Sequence, residues 1–204
     1  MAAKGLIVKK KRWIVVLSPK IFGDQMIGEV YVAEPQDAIG KKLQVSLTTL
    51  TGDQQKQGLN VYFRISEVEG DKLRTQVLGL EWLPASLKKL VRRGREKLDE
   101  SFAAITGDGK KVRVKLLLLT RSKTTRGVTA QLRRLARQFV AKTFIKQTFD
   151  DIMISIVQGK LQRSIQETLR KTYPIAVSEV RHLSILGQAS EEEISAAKAV
   201  LPPE

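Results

Sequence analysis

The spacing of apolar residues changes near Thr120, and this change limits the folds open to the chain. Before it, apolar and polar residues alternate, as in the run from Leu59 to Ile65. After it, apolar residues recur at every third or fourth position. Alternation is typical of half-buried strands, and the longer spacing is typical of amphipathic helices. The sequence therefore predicts an α+β protein in which a set of strands is followed by helices.

Most of the predicted strands are joined by short connections. The two clearest pairs are hairpins: one spans residues 59–80, and the other joins residues 97–106 to 110–120 through Gly107, Asp108 and Gly109. Glycine and aspartate tolerate the backbone angles of tight turns. Further strands are predicted at residues 13–17, 25–32, 42–48 and 177–186. Many strands with short connections favour an antiparallel β-barrel or a strongly curled sheet, to which the C-terminal helices are appended.

The first predicted helix after Thr120 has two distinct faces. Its apolar face is formed by residues spaced four, three and four positions apart: Val128, Leu132, Leu135 and Phe139. Arg126, Arg133 and Arg137 lie on nearly the opposite face. We expect this helix to pack through the apolar face and to meet partner charge through the arginines.

Three shorter helices are predicted from the residues at their ends. Pro84 opens one of them. Thr148, followed by Asp151, resembles a capping box, and the helix that it opens is expected to stop near Gly159. Another helix, which ends before Pro174, is marked by an apolar row: Leu161, Ile165 and Leu169.

Basic residues are concentrated in one segment. The chain has 36 Lys and Arg residues against 21 Asp and Glu residues, a formal net charge of +15. Residues 110–147 contain twelve of the basic residues and no acidic one. Such a segment repels itself unless a polyanion neutralises it, and nucleic acid is the obvious polyanion. The residues predicted to bind RNA come from this segment and from the basic run near the N-terminus: Lys9, Lys10, Lys11, Arg12, Lys110, Lys111, Arg113, Lys115, Arg121, Lys123, Arg126, Arg133, Arg134, Arg137, Lys142 and Lys146.

The arrangement of these cations predicts contacts with the RNA backbone, the alternative being a solvated basic surface without a partner. Lys111, Arg113 and Lys115 point to one face of a strand at intervals of about 7 Å, which suits successive phosphates. Arginine, which dominates the helix, makes forked contacts with phosphate. The chain has only six Phe, three Tyr and two Trp residues, so no aromatic-rich stacking platform is expected. Binding should therefore depend on the backbone and shape of the RNA.

Catalytic and metal-binding chemistry is poorly represented. The chain has no cysteine, which excludes disulfides, thiolate metal ligands and a catalytic thiol. Its single histidine, His182, is expected to be structural or to face RNA. Asp150 and Asp151 are expected to stabilise a helix N-terminus. No catalytic residue, metal site, cofactor or small-molecule substrate is therefore predicted.

Two other functions remain open at this point. A metal-dependent nucleic-acid-processing enzyme would require Asp150, Asp151 and Glu179 to converge on a metal ion. A DNA-compacting protein would bind duplex DNA about as well as it binds structured RNA.

We expect one compact body with charged extensions. Residues 1–20 are predicted to form a basic N-terminal arm, residues 21–186 a single globular body of strands and helices, and residues 187–204 an acidic C-terminal tail. No apolar run reaches the length of a membrane span, and the N-terminus lacks the continuous apolar stretch of a signal peptide. A soluble, cytoplasmic protein without a membrane partner is therefore expected.

Short motifs follow one another in a set order through residues 9–186. Those of the first half are the lysine-rich run before Trp13, Ser18-Pro19, Phe22, Ile27-Gly28, Gly40 and Val45-Ser46-Leu47 before Leu50. Those of the second half are Thr106-Gly107-Asp108-Gly109, the arginines at 133, 134 and 137, Tyr173-Pro174 and Val180-Arg181. In this order the chain resembles the archaeal and eukaryotic family of small-subunit ribosomal proteins called S-one-e or S-three-a-e, and its short tail is typical of archaeal members.

The resemblance implies a β-barrel with appended helices, located on the platform of the small ribosomal subunit near the messenger exit. It implies small-subunit ribosomal RNA and neighbouring ribosomal proteins as partners, with messenger RNA near the exit as a further candidate. It also implies a structural role in translation and no enzymatic activity.

Overall fold

The computed structural model describes residues 10–190 and 193–194, with the backbone alone at Gln55. In this part of the chain there are eight strands and five α-helices, which confirms the predicted α+β class. The strands are β1 (Arg12–Leu17), β2 (Met26–Val32), β3 (Lys42–Ser46), β4 (Leu59–Glu69), β5 (Lys72–Trp82), β6 (Lys97–Ile105), β7 (Lys110–Thr120) and β8 (Ile175–Gln188). The α-helices are α1 (Leu47–Thr51), α2 (Pro84–Leu90), α3 (Arg126–Lys146), α4 (Phe149–Val157) and α5 (Lys160–Arg170).

The strands pair in a mixed sheet of order β2-β1-β5-β8-β7-β6, while β4 pairs with β3 and β5. β1 runs antiparallel to β2 but parallel to β5, where Val15 lies opposite Lys72. Among the described residues β2 and β6, the ends of this order, do not pair with each other, so the sheet is open. The predicted antiparallel β-barrel is therefore not supported. Alternation along a strand specifies which face is buried but not which strand lies alongside, and closure cannot be derived from it.

Both predicted hairpins are present. β4 pairs with β5, and β6 pairs with β7 in an unbroken antiparallel register from Lys97 opposite Leu119 to Ile105 opposite Lys111. Their turns were predictable because the signal is local: alternating apolar residues on both sides of a short stretch rich in glycine and aspartate.

The chain groups into two compact units, Met1–Gln57 with Val61–Leu78 and Gly58–Asn60 with Gly79–Glu204. In the first unit, β1 buries Ile14 and Val16 in a cluster with Val32 and Leu73, whereas Trp13 on its other face is exposed. The limits predicted for the arm, body and tail, at residues 20 and 186, remain predictions.

The second unit is built around β7, which pairs with β6 and β8. One face of β7 carries Leu116, opposite Glu100 of β6, and Glu100 contacts Arg137 of α3, so α3 lies over this face. On the other face, the later residues of β7 pack against Leu87 of α2 at Leu117. The strand is thus buried on both faces over its second half, as its unbroken apolar sequence requires.

The buried row of α3 differs from the predicted one. The fully buried residues recur at every fourth position: Leu132, Ala136, Val140 and Phe144. Leu132 was predicted, but Leu135 and Phe139 are only partly buried. Ala136 carries a small side chain that was not counted as a packing residue, yet it faces the interior and lets the helix backbone approach its neighbours. The helix is therefore rotated about its own axis relative to the predicted orientation.

The end signals of α4 act as predicted. The Thr148 side chain accepts a hydrogen bond from the Asp151 backbone N–H at 3.3 Å, and the Thr148 hydroxyl donates to the Asp151 carboxylate at 2.7 Å. α5 begins after Gly159, whose φ of +74° lies in the left-handed region that glycine adopts at no steric cost.

The local sequence patterns did not predict one short helix. β3 ends at Ser46, where the predicted strand continued, and α1 follows with Leu47 and Leu50 buried. Most of the predicted acidic tail lies outside the described residues, although β8 extends into it as far as Gln188. None of the helices that the structure describes is long and apolar enough to span a membrane.

Candidate nucleic-acid interface

All of the predicted RNA-binding residues except Lys9 lie in the described part of the chain. Lys10, Lys11 and Arg12 are exposed residues of the first unit. In the second unit, Lys110, Lys111 and Lys115 are partly buried. The other predicted cations of that unit are exposed: Arg113, Arg121, Lys123, Arg126, Arg133, Arg134, Arg137, Lys142 and Lys146. Most of the predicted cations are therefore accessible to a partner.

One face of β7 is basic over its first half. Lys111, Arg113 and Lys115 share this face because alternate residues of a strand point to the same side. On β6 the small residues Ser101 and Ala103 lie opposite Lys115 and Arg113, whereas the larger Ile105 lies opposite Lys111. Arg113 is exposed above the sheet, whereas Lys111 and Lys115 are partly buried, and α2 packs against the later residues of the strand.

Two lysines of β7 also have acidic partners within the chain. Lys111 Nζ forms an ion pair with Glu193, and this hydrogen bond lowers the pKa of Glu193. Lys110 Nζ lies 2.8 Å from the Asp108 carboxylate and 5.3 Å from the centroid of the Phe149 ring. Lys110 therefore stabilises the turn between β6 and β7, and a contact with RNA stays a prediction for it.

That turn anchors the basic strand to the helices. Asp108 Oδ1 accepts hydrogen bonds from the Thr106 hydroxyl at 2.6 Å and from the Phe149 N–H at 3.0 Å. The Gly107 N–H donates to the Gln147 carbonyl at 2.8 Å. Burial alone would raise the pKa of Asp108, but the hydrogen bonds from its lysine partner and from Thr106 lower that pKa below the usual value. The hairpin is thereby fixed to the junction between α3 and α4.

α3 presents a row of arginines beside β6. Arg126, Arg133, Arg134 and Arg137 line an open cleft of about 800 Å³ together with Glu100. Arg137 Nη2 lies 2.8 Å from Glu100 Oε2, and Arg133 Nε lies 3.4 Å from Glu100 Oε1. The Glu100 side chain is only 9% exposed, whereas those of Arg133 and Arg137 are 47% and 57% exposed.

This arrangement orients the two guanidinium groups without using all of their N–H donors. Glu100 accepts a hydrogen bond from one nitrogen of Arg137 and forms a longer ion pair with Arg133, and each guanidinium has further N–H donors in a fixed planar arrangement. Arg137 also lies 5.9 Å from the centroid of the Phe102 ring, which supports its orientation. Both arginines line the cleft, where their remaining donors can make charge-assisted hydrogen bonds to phosphate oxygens.

Sequence reasoning missed Glu100, although a signal was present. In β6 the inward positions alternate through Leu98, Glu100 and Ala104, all of which are buried. A carboxylate at an apolar position of a strand is expected to have a cationic partner, since an unpaired buried charge is costly. The arginine-rich helix was the obvious source of that partner.

A second cluster of arginines was also missed in part. Arg121, directly after β7, lines a cleft of about 340 Å³ with Arg163 and Arg170 of α5. The Arg121 N–H donates to the Pro174 carbonyl at 3.0 Å, which fixes the backbone at this cleft. Only Arg121 was predicted, because residues 148–187 have nearly balanced charge and their arginines did not stand out. Glu167 lines the same cleft.

His182 lies among charged groups on β8. Its Nδ1 is 3.7 Å from Glu81 Oε1, and its Nε2 is 3.0 Å from the Ser184 hydroxyl. Burial lowers the pKa of His182 below its ordinary value of 6.5; Glu81 opposes this effect, and nearby cations reinforce it: Lys115, Arg181 and Arg113. His182 is therefore neutral near pH 7.

The carboxylates required by the enzyme alternative are not brought together. Asp150 and Asp151 lie in the first turn of α4, where Asp151 takes part in the cap. Among the described residues, no group of three or more His, Asp or Glu side chains is placed to hold a metal ion.

Comparisons with known proteins agree on one kind of relative. The model of the ribosomal S3Ae family matches residues 7–189. The chain is 33% identical over 190 residues to small ribosomal subunit protein eS1 of Saccharolobus islandicus, an alignment that covers 91% of each protein. The same figures hold for the eS1 protein of Saccharolobus solfataricus. This chain is also 33% identical over 178 residues to eS1 of Sulfurisphaera tokodaii, in an alignment that covers 87% of this chain and 92% of that protein.

Proposed function

This chain belongs to the ribosomal S3Ae family, and we propose on that premise that it is a structural component of the small ribosomal subunit that binds ribosomal RNA. Members of this family are ribosomal proteins and not enzymes, so the enzyme alternative is set aside. RNA is bound, in this proposal, through the basic face of β7, the arginine row of α3 and the basic N-terminal arm.

The observation that carries the proposal is the arrangement of the acid-free segment 110–147. Most of its cations are exposed, on a strand and a helix that each pack other residues into the interior. Like charges held this close raise the free energy of the isolated protein, and phosphates of RNA lower it while releasing counterions. The arginines beside Glu100 are oriented before binding, which reduces the entropy lost when phosphate is bound.

The place of the protein in the ribosome is part of the same proposal. We place it on the platform of the small subunit near the messenger exit, in contact with neighbouring ribosomal proteins and close enough to meet messenger RNA. This assignment is supported by the resemblance of the chain to its family over residues 9–186, and it implies a cytoplasmic location.

Co-sedimentation tests the proposal directly. Cell extract is separated on a sucrose gradient under conditions that keep small subunits intact, and the native protein is followed by immunoblot. We expect it to migrate with the small subunit and to leave it only at high salt, because phosphate contacts weaken as salt rises. Protein that stays at the top of the gradient while intact small subunits sediment would refute the proposal.

Competition binding separates this function from DNA compaction. Structured small-subunit RNA and duplex DNA of equal phosphate content compete for the purified protein at one salt concentration. Preference for the RNA is expected, because A-form RNA displays 2′-hydroxyl groups and a groove shape that B-form DNA lacks. Equal affinity for the two would support the DNA-compacting alternative.

A further inference from the structure

Two aromatic side chains are exposed side by side on the first unit. Trp13 of β1 is 66% exposed and Tyr31 of β2 is 50% exposed. They are direct partners in the antiparallel pair, with ring centroids 5.1 Å apart and ring planes inclined at 41°. On the opposite face of the same strands, Ile14 and Val32 are buried. The core therefore accounts for the inward residues of these strands but not for the two outward aromatic rings.

Three cations precede Trp13 in the sequence, and one of them lies beside the pair. Lys10, Lys11 and Arg12 are exposed, and Lys11 Nζ lies 5.9 Å from the centroid of the Tyr31 ring. Arg12 forms an ion pair of 2.9 Å with Asp71, so the lysines are the cations more available to a ligand. Glu29 lies on the same face but is displaced along β2, opposite Val15.

Aromatic rings next to lysines suit one class of ligand. A nucleobase offers a flat π-face that stacks on tryptophan or tyrosine, and the phosphates on either side of it are attracted by adjacent lysines. A protein partner would use the apolar area of the rings but would gain less from lysines at their edge. Lys11 lies over the Tyr31 ring, and the more exposed Trp13 ring offers the larger accessible surface to a stacking base.

We propose that the Trp13–Tyr31 pair is a stacking site for an unpaired nucleobase of RNA, with Lys10 and Lys11 holding the adjacent phosphates. This inference rests on the proposed function, which it extends from contacts with the RNA backbone to a contact with a base. The small number of aromatic residues had argued against a stacking platform, but a single base needs only one exposed pair.

Fluorescence can report on this site alone. The chain has two tryptophans, and a Trp82→Phe variant leaves Trp13 as the single reporter. Single-stranded oligoadenylate of about 12 nucleotides is titrated into this variant, in parallel with an oligomer of the same length whose sugars lack bases. Quenching of Trp13 by oligoadenylate, and much weaker quenching by the abasic oligomer, is expected.

Affinity measurements give a second, independent readout. In the full-length wild-type background, Trp13→Ala with Tyr31→Ala should weaken oligoadenylate binding about tenfold or more and leave the salt dependence unchanged, since stacking releases no counterions. Lys10→Ala with Lys11→Ala should instead reduce the salt dependence. Thermal unfolding of each variant shows whether the unit remains folded, and Trp13→Phe, which keeps a stacking ring, should retain most of the affinity.

The outcomes distinguish a failure of the stacking site from a failure of the proposed function on which it rests. Equal binding by wild type and the double aromatic variant, or equal quenching by the abasic oligomer, would overturn the stacking site while backbone binding stands. If the wild-type protein binds no RNA at any salt, both proposals fail. In assembled subunits, Trp13 covered by another protein chain and not by a base would also overturn the stacking site.

Discussion

Glu100 is the buried carboxylate on which two of the candidate RNA-binding arginines depend. Its side chain lies among inward-facing residues of β6 and is paired with Arg137 and, at a longer distance, with Arg133. Removing one member of such a pair leaves the other charge with weaker compensation. The arginines therefore contribute to stability as well as to any contact with RNA.

Arg137→Ala should lower the free energy of unfolding by roughly 1–2 kcal/mol, because Glu100 then retains only the longer contact with Arg133. Arg134→Ala on the same helix is the matched control and should change it by less than about 0.5 kcal/mol. Urea unfolding measures both. In a Glu100→Gln background the cost of Arg137→Ala should shrink; equal costs in the two backgrounds would rule out the pairing.

His182 provides a second prediction from a single side chain. Because it is the one histidine of the chain, a proton NMR titration assigns its signal directly. We expect a pKa below 6.5, with burial as the main cause. A value above 6.5 in the free protein would contradict the environment described for it.

The sign of the stability effect follows from that direction. The unfolded chain takes up a proton on His182 more readily than the folded protein does, so the free energy of unfolding decreases as pH falls below about 6.5. His182→Asn should remove this part of the pH dependence. Binding of RNA should raise the pKa of His182, because phosphates near Lys115 and Arg113 offset the charges that now lower it.

The elements differ in how far their sequences reveal them. The β6–β7 hairpin and the start of α4 were predictable, because their signals lie within a few residues of each other. The predicted buried face of α3 differs from the observed one because Ala136, which is small and weakly apolar, faces the interior. The order of the sheet was beyond local patterns, since the parallel contact between β1 and β5 joins distant parts of the chain.

Two leucines of α3 test the observed orientation of the helix. Leu132→Ala should destabilise the protein by about 2–5 kcal/mol, because Leu132 is fully buried. Leu135→Ala should cost clearly less, since Leu135 is only partly buried. Urea unfolding of the two variants decides the matter, and a larger cost at Leu135 would favour the orientation predicted from the apolar spacing.

The arginine row of α3 can be tested apart from Glu100. In the described part of the chain, Arg126 and Arg134 line the cleft without an ion pair to a carboxylate, so their removal leaves no acidic group unpaired. The double alanine variant should bind small-subunit RNA more weakly, and the slope of log K against log salt should fall by roughly 1.5.

Lys41→Ala with Lys42→Ala, which removes the same charge from exposed positions outside the candidate interface, is the control for that experiment. Its salt dependence should change less than that of the arginine variant. An unchanged slope in the arginine variant, or equal changes in the two, would show that the α3 face does not contact phosphate.

At the scale of the chain, the charge distribution indicated which segment exposes cations but not which contacts those cations make within the protein. The acid-free segment indicated β7 and α3, and the structure exposes most of their cations. Arg163 and Arg170 beside Arg121 were missed because a local sum of charge cancels acidic and basic residues that face different directions in a helix. Glu193, paired with Lys111, shows that the acidic tail also compensates part of the basic strand.

We propose that ribosomal RNA neutralises segment 110–147 in the cell. Ultraviolet crosslinking in living cells, followed by purification of small subunits and mass spectrometry of the crosslinked peptides, tests it most directly. We expect ribonucleotide adducts on peptides from β7 and α3. Small subunits that contain the protein, but in which residues 110–147 are crosslinked only to other proteins or carry no ribonucleotide while known RNA-binding neighbours do, would contradict it.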